Sequence, residues 1–208
     1  MLAAVALGLL LAQAEPAPVP PPAPTVVAEP EDNRTISAFL GGSFRVSSNG
    51  AQLWPSSGFS IGGAFEYRYM RLGAPDGHGP LLGASLGFIH DHFANNLTDA
   101  TSNNLLTKTG FVAAQTLAVP FSAVTPWVGA GGGIIFGYYS ADGSGSTSQL
   151  VAVGEAGLDV AISADGGLRL RFNFTHALTG RQYVTGSGRH ADLYGDLFDG
   201  DIGVFYRF

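Results

Sequence analysis

From Arg34 to Phe208 apolar and polar residues alternate with a period of two in one segment after another, and no run of about 18 apolar residues interrupts them. A helix that crosses a bilayer needs such a run, so helical spanning is excluded after residue 33. Strict alternation over about 10 residues, punctuated by turn-forming stretches, is what strands need when one face meets an apolar solvent and the other a lumen. A closed barrel is the only β-structure that leaves no backbone group unpaired in such a solvent.

Eight such segments can be traced. In the first, Ile36, Ala38, Leu40, Gly42, Phe44 and Val46 share one face, opposite Thr35, Ser37, Ser43 and Arg45. The second sets Phe59, Ile61, Phe65, Tyr67 and Tyr69 against Ser60, Glu66 and Arg68, and the third Leu82, Ala84, Leu86 and Phe88 against Gly83, Ser85 and Gly87. The fourth, from Lys108 to Val119, carries Phe111, Ala113, Leu117 and Val119 on a face broken by Gln115, where a bulge is expected. The fifth, PWVGAGGGIIFGYY, turns Val128, Ala130, Ile134, Phe136 and Tyr138 outward and its glycines inward. The sixth turns Leu150, Ala152, Ala156, Leu158, Val160 and Ile162 outward against Glu155 and Asp159. The seventh sets Leu168, Leu170, Phe172 and Phe174 against Arg169, Arg171 and Asn173. The eighth sets Phe198, Ile202, Val204, Tyr206 and Phe208 against Asp199, Asp201 and Arg207.

The connections alternate in length. Those at Ser47–Ser57, Ala94–Leu106, Ser140–Ser148 and Gly180–Ala191 are rich in Asn, Ser, Gly and Asp, and are expected to be extracellular loops. Those at Gly73–Gly79, Ser122–Thr125 and Ala164–Gly167 are shorter on the whole, as periplasmic turns are. The expected fold is therefore all-β: an eight-stranded antiparallel up-and-down transmembrane barrel over residues 34–208.

Residues 1–33 read differently. Leu2 to Ala12 is an apolar stretch followed by the small-x-small site Ala12, Gln13, Ala14, so residues 1–14 are expected to be a cleaved secretory signal, although no Lys or Arg precedes it. Residues 15–33, EPAPVPPPAPTVVAEPEDN, form a Pro- and Ala-rich tether that sustains neither helix nor ladder. Ten Lys and Arg residues, widely scattered, and a formal charge of −6 exclude a nucleic-acid surface. The absence of cysteine removes thiol nucleophiles, Cys-ligated zinc and disulfides.

Candidate chemistry is sparse. The lumen phase collects Arg45, Arg68, Arg169, Arg171 and Arg207 against Glu66, Glu155, Asp159, Asp199 and Asp201. Such a set could be an ion path or acid–base pair. A narrow barrel that fills its interior with side chains must also pair every buried charge, and that structural role is the expectation. Register is expected to set Asp159 opposite Arg171, with Ile162 paired to Leu168, and barrel closure to bring Arg45 beside Asp199 or Asp201. His90 and His92 lack a third ligand, so no metal is expected. The Gly129–Gly133 run lies inside a strand pattern, which argues against a phosphate loop, and ADGSGSTS lacks the distal Glu of a calcium loop. No cofactor is expected.

The signal, the eight alternating strands, PWVGAGGG and the terminal ladder Ile202, Val204, Tyr206, Phe208 resemble the small outer-membrane barrels of the OmpA, OmpX and OmpW kind. The resemblance covers about Arg34 to Phe208. It implies a bacterial outer-membrane location, outer-membrane lipid as the partner of the apolar face, and a C-terminal ladder read by the barrel-assembly machinery. The peptidoglycan-binding domain of OmpA-type proteins has no counterpart after strand eight, so that anchoring role is not carried over. Outer-membrane lipid A deacylases, which are also small barrels, use a lipid-facing His with a Ser two residues on. His176 is followed there by Leu178, so that carry-over fails. The expected function is non-enzymatic, serving envelope structure, adhesion or surface contact. A narrow pore for small or apolar molecules and, further off, a lipid-modifying enzyme are the alternatives, and a soluble lipocalin-like barrel is the rival fold.

Overall fold

The computed structural model describes residues 33–45, 57–73, 79–94, 105–140, 144–179, 182–184, 190–192 and 196–208. The expected signal and all but Asn33 of the expected tether lie outside them. Eight strands close into a barrel: β1 (Arg34–Arg45), β2 (Ser57–Arg71), β3 (Leu81–Ala94), β4 (Leu105–Ala118), β5 (Val124–Ser140), β6 (Ser144–Ala161), β7 (Gly166–Ala177) and β10 (Leu197–Arg207). Two short strands, β8 (Gln182–Val184) and β9 (His190–Asp192), pair with each other within the β7–β10 connection. Every neighbour pair is antiparallel, and β1 closes the ring by pairing with β10 from Thr35↔Arg207 to Arg45↔Leu197. Closure removes the two sheet edges whose unpaired amides and carbonyls would cost several kcal/mol each in hydrocarbon.

The alternation decides what each face meets. Ile36, Leu40, Ile61, Leu86, Phe111, Val128, Leu150, Phe172, Ile202 and Val204 are all exposed on the outside. Thr35, Ser37, Glu66, Arg68, Asp159, Arg169, Arg171 and Asp201 are buried inside. This inverts the arrangement of a soluble protein, in which charged side chains are almost never fully buried unless paired. It also disposes of the lipocalin-like rival, which needs the opposite facing.

Three expectations are corrected. Gln115 causes no bulge: β4 runs in unbroken register against both β3 and β5, and the irregularity lies in β2 between Arg68 and Met70. Gln115 stays on the outer face, where its Oε1 accepts a hydrogen bond from the Tyr69 hydroxyl at 2.6 Å. That bond satisfies the amide without distorting the ladder. The β5–β6 connection, expected over Ser140–Ser148, contracts to residues 141–143 because both strands continue past the others. The β6–β7 turn, expected at Ala164–Gly167, occupies residues 162–165. There the Gly166 carbonyl accepts from the Ile162 and Ser163 amides, each at 3.0 Å, and Ser163 Oγ accepts from the Gly166 amide at 3.1 Å.

Inside, bulky side chains fit only because glycine stands opposite them. A Cβ on Gly157 would run into the Trp127 indole, and a Cβ on Gly62 into the Phe39 ring. Phe39, Ile89, Val112, Ile135, Val151 and Val153 form one apolar cluster, and Leu81, Ala118 and Trp127 a second at the end that carries the short turns. Phe93, Leu106 and Leu197 are fully buried near the long-loop end.

Candidate functional site

The lumen charges fall in two layers. At the short-turn end, neighbouring positions of β2 present Glu66 and Arg68, while β6 and β7 present Asp159 and Arg169 directly opposite each other. Arg169 Nε donates to Asp159 Oδ1 at 2.7 Å, and its Nη2 to Asp159 Oδ2 at 2.8 Å and Glu66 Oε2 at 3.1 Å. Arg68 Nε donates to Glu66 Oε1 at 3.0 Å and its Nη2 to Asp159 Oδ2 at 3.3 Å. Trp127 Nε1 adds a bond to Asp159 Oδ1 at 3.2 Å, and Thr116 Oγ1 one to Glu66 Oε1 at 3.3 Å. The Arg169 guanidinium lies 5.0 Å from the Trp127 ring centroid and 5.9 Å from that of Phe205. Arg207 also lies over the Phe205 ring, at 4.8 Å. The two-pronged contact of Arg169 with Asp159 is the arrangement in which a buried pair best offsets the loss of hydration.

One step toward the long loops, Arg171 bridges Glu155 at 2.8 Å and Asp201 at 3.2 Å, with its guanidinium 4.4 Å from the Phe39 ring centroid. Above it, Asn173 Nδ2 donates to Asp199 Oδ2 at 2.9 Å. Arg171 therefore faces the lumen as expected, but it does not meet Asp159. Ile162 is held in the turn and stays out of the ladder, so Val160 pairs with Leu168 and the register moves two residues from the expected one. A two-residue move preserves every facing and changes every partner. The closure expectation fares better: Ser43 stands opposite Asp199, which places Arg45 on the diagonal to Asp199.

Sequence reasoning missed Asp91 and Lys108. Both are buried, and they stand directly opposite each other on β3 and β4. Lys108 shares its electrostatic surroundings with Arg45, Asp91 and Asp199. The signal was present: carrying the Leu86, Phe88 phase on to His90 and His92 turns Asp91 inward, and counting back from Phe111 does the same for Lys108. The pair adds one charge of each sign, so the lumen set stays balanced.

Outside, Ile202, Val204, Tyr206 and Phe208 are exposed on one face of the β10 end, with the Tyr206 and Phe208 rings stacked at 6.2 Å. His90 Nδ1 lies 2.9 Å from Thr109 Oγ1, and His92 packs against the Phe59 ring at 5.2 Å. Among the described residues no group of three or more His, Cys, Asp or Glu side chains could hold a metal. His176 is exposed and its Nδ1 lies 2.7 Å from Asp196 Oδ1, a partner that no sequence spacing announced. Leu178, two residues on, is exposed beside it and offers no nucleophile.

No protein-family model matches this chain, and no curated protein matches it either. Solved structures do. Neisserial surface protein A superposes with a TM-score of 0.56 at 14% identity, over 84% of this chain and 97% of its own. Ail, the attachment invasion locus protein of Yersinia pestis, gives 0.56 at 15% identity, over 86% and 99%. The chain has the fold of the small outer-membrane β-barrels. The outer membrane protein OprG of Pseudomonas aeruginosa agrees, with a TM-score of 0.53 at 11% identity over 85% of this chain and 97% of its own. At such identities the barrel's likeness is one of architecture.

Proposed function

We propose that this barrel sits in a bacterial outer membrane as a non-enzymatic surface protein, with its lumen closed by its own side chains and its long-loop end turned to the exterior for envelope structure, adhesion or surface contact. The observation that carries the reading is the inverted facing: a continuous apolar exterior around an interior of paired charges. Hydrocarbon outside explains the exposed Leu, Ile and Phe, and an eight-stranded bore is narrow enough for side chains to fill it. Arg169, Asp159, Glu66 and Arg68 then act as a cross-brace that ties β2, β6 and β7 through the lumen.

In the same reading residues 1–14 direct export, residues 15–33 tether the barrel on its periplasmic side, and Ile202, Val204, Tyr206 and Phe208 dock on the barrel-assembly machinery. Two measurements test it together. Protein extracted from the outer membrane should migrate faster unheated than heated, as a folded, detergent-resistant barrel does, and in planar bilayers it should pass no ionic current. Steady single-channel conductance would replace the closed lumen with the narrow-pore alternative, and the absence of a heat-dependent shift would remove the barrel from the membrane.

A further inference from the structure

On the lumen side of β10, β1, β2 and β3, oxygen atoms collect in one layer toward the long loops. Ser43 stands opposite Asp199, Gly41 stands between Asp201 and Ser60, and Ser60 in turn stands opposite Asp91. Gly41 makes the layer open: a Cβ there would run into Asp201 Oδ1, which leans over it. Ser60 is thereby close to the carboxylates of both Asp201 and Asp91, and Asp91 to that of Asp199. Ser43 and Ser60 are completely buried. Their hydroxyl oxygens, and Oδ1 of Asp91, Asp199 and Asp201, have no hydrogen-bond partner among the described residues.

Apolar side chains stand on both sides of this layer. Two residues nearer the long loops, on the same strand faces as Asp91, Lys108 and Asp199, are the buried Phe93, Leu106 and Leu197. Two residues nearer the short turns, below Gly41 and Asp91, are Phe39 and Ile89 of the apolar cluster. A buried oxygen left without a partner costs about 1–3 kcal/mol, so five together call for an occupant. The cations of this half leave them unsatisfied: Arg45 and Lys108 stand at the same level, and Arg171 bonds only Glu155 and the other oxygen of Asp201. Among the described residues Asp91, Asp199, Asp201 and Glu155 therefore outnumber Arg45, Lys108 and Arg171 by one charge. The lumen as a whole balances because Arg207, over Phe205, gives the short-turn half the opposite surplus.

We propose that this layer binds one hard metal cation through the oxygens of Ser43, Ser60, Asp199 and Asp201, with Asp91 beside them. A donor set made wholly of carboxylate and hydroxyl oxygen suits alkali and alkaline-earth ions and not softer metals. No three carboxylates among the described residues are placed to hold one metal directly, so the ion keeps part of its water, through which the remaining oxygens are reached. The surplus of one negative charge favours a singly charged ion of the sodium kind over calcium or magnesium. The site is independent of which end of the barrel faces the exterior.

Phe93, Leu106 and Leu197 close the layer from above, so the ion enters as the barrel folds, and the test is made on refolding. The whole protein is brought to its unfolding equilibrium in detergent micelles with urea, in choline, sodium, calcium or magnesium chloride of matched ionic strength. The unfolding constant should fall about tenfold for each tenfold rise of the bound ion above its dissociation constant, as one site requires, and stay level in choline. A response to sodium alone supports a singly charged ion, and a response to calcium or magnesium at lower concentration supports the site with a doubly charged one. Equal midpoints in all four salts mean that water serves the oxygens, and overturn the site. The double variant Ser43→Ala, Ser60→Ala removes hydroxyls that bond nothing among the described residues. It should unfold no more readily than the parent in choline, and should need about tenfold more ion or lose the response altogether. Thr35→Val removes an equally buried, unpartnered hydroxyl near the short turns and should keep the full response. A response that survives loss of both serines, or that Thr35→Val abolishes as well, overturns the assignment. If the serine variant does not fold, Asp199→Asn is read in its place, with the same outcomes.

Discussion

The two charged layers of the lumen are built from the same residue types and are held in different ways. Near the short turns, Asp159 receives hydrogen bonds from Arg169, Arg68 and Trp127, and Glu66 from both arginines and Thr116. Nearer the long loops, one oxygen each of Asp91, Asp199, Asp201 and Asn173, together with the Ser43 and Ser60 hydroxyls, is buried without a partner among the described residues. The short-turn layer is not perfect, since Thr35 Oγ1 and Arg207 Nε are also unpartnered there. The difference lies in the donors. In the lower layer two arginine forks and an indole converge on the same carboxylates across the bore, whereas in the upper layer Arg171 gives one bond each to Glu155 and Asp201, and Asp199 receives the Asn173 amide. Buried charge is a brace only where each oxygen has a fixed donor, and elsewhere it must draw on water.

This contrast is open to direct test. Asp159→Ala leaves two guanidiniums and the Trp127 indole facing each other with Glu66 as their remaining carboxylate, and should cost about 3–5 kcal/mol in denaturant unfolding of the inserted barrel. Asp199→Asn, in the upper layer, keeps the shape and loses one charge-assisted bond, for about 1 kcal/mol. Equal losses from the two would abolish the distinction. Gly157→Ala pushes a methyl into the Trp127 indole and should cost about 1–3 kcal/mol through forced repacking. The same exchange at Gly154, which shares the outer face with Ala152 and Ala156 and where a Cβ meets nothing within 4 Å, should be nearly neutral and serves as its control.

Replacing the upper pair as a unit, with Asp91→Asn and Lys108→Met together, should change stability by less than about 1 kcal/mol or raise it, since a buried pair exchanged for neutral groups of similar volume leaves no charge alone. A loss as large as that of Asp159→Ala would show that the upper layer braces the barrel as well. The smallest effect on the stability of inserted molecules is expected from Phe208→Asp, at an exposed position beyond the lumen. Its yield in the outer membrane should nevertheless fall well below that of Phe205→Leu, which loses packing under Arg169 and Arg207. Equal yields would mean that the terminal ladder is not read during assembly.

The sequence by itself determined the fold class, the eight segments and the facing of nearly every residue it assigned within the described barrel strands, because an inside-or-outside choice repeats every two residues and needs no knowledge of the partner strand. The same rule, carried a few residues further along β3 and β4, would have found Asp91 and Lys108. What only the tertiary structure decided is who meets whom. Glu66 and Arg169 bond although 103 positions separate them, and no local pattern brings β2 and β7 within reach across a bore. Asp159 meets Arg169 and not Arg171 because the Gly166 carbonyl captures the Ile162 amide, holds Ile162 in the turn and shifts the β6–β7 register by two residues. Hairpin register and barrel closure are set by backbone hydrogen bonds in turns and by the ring as a whole, and a periodic sequence is equally content with any register that slips by two.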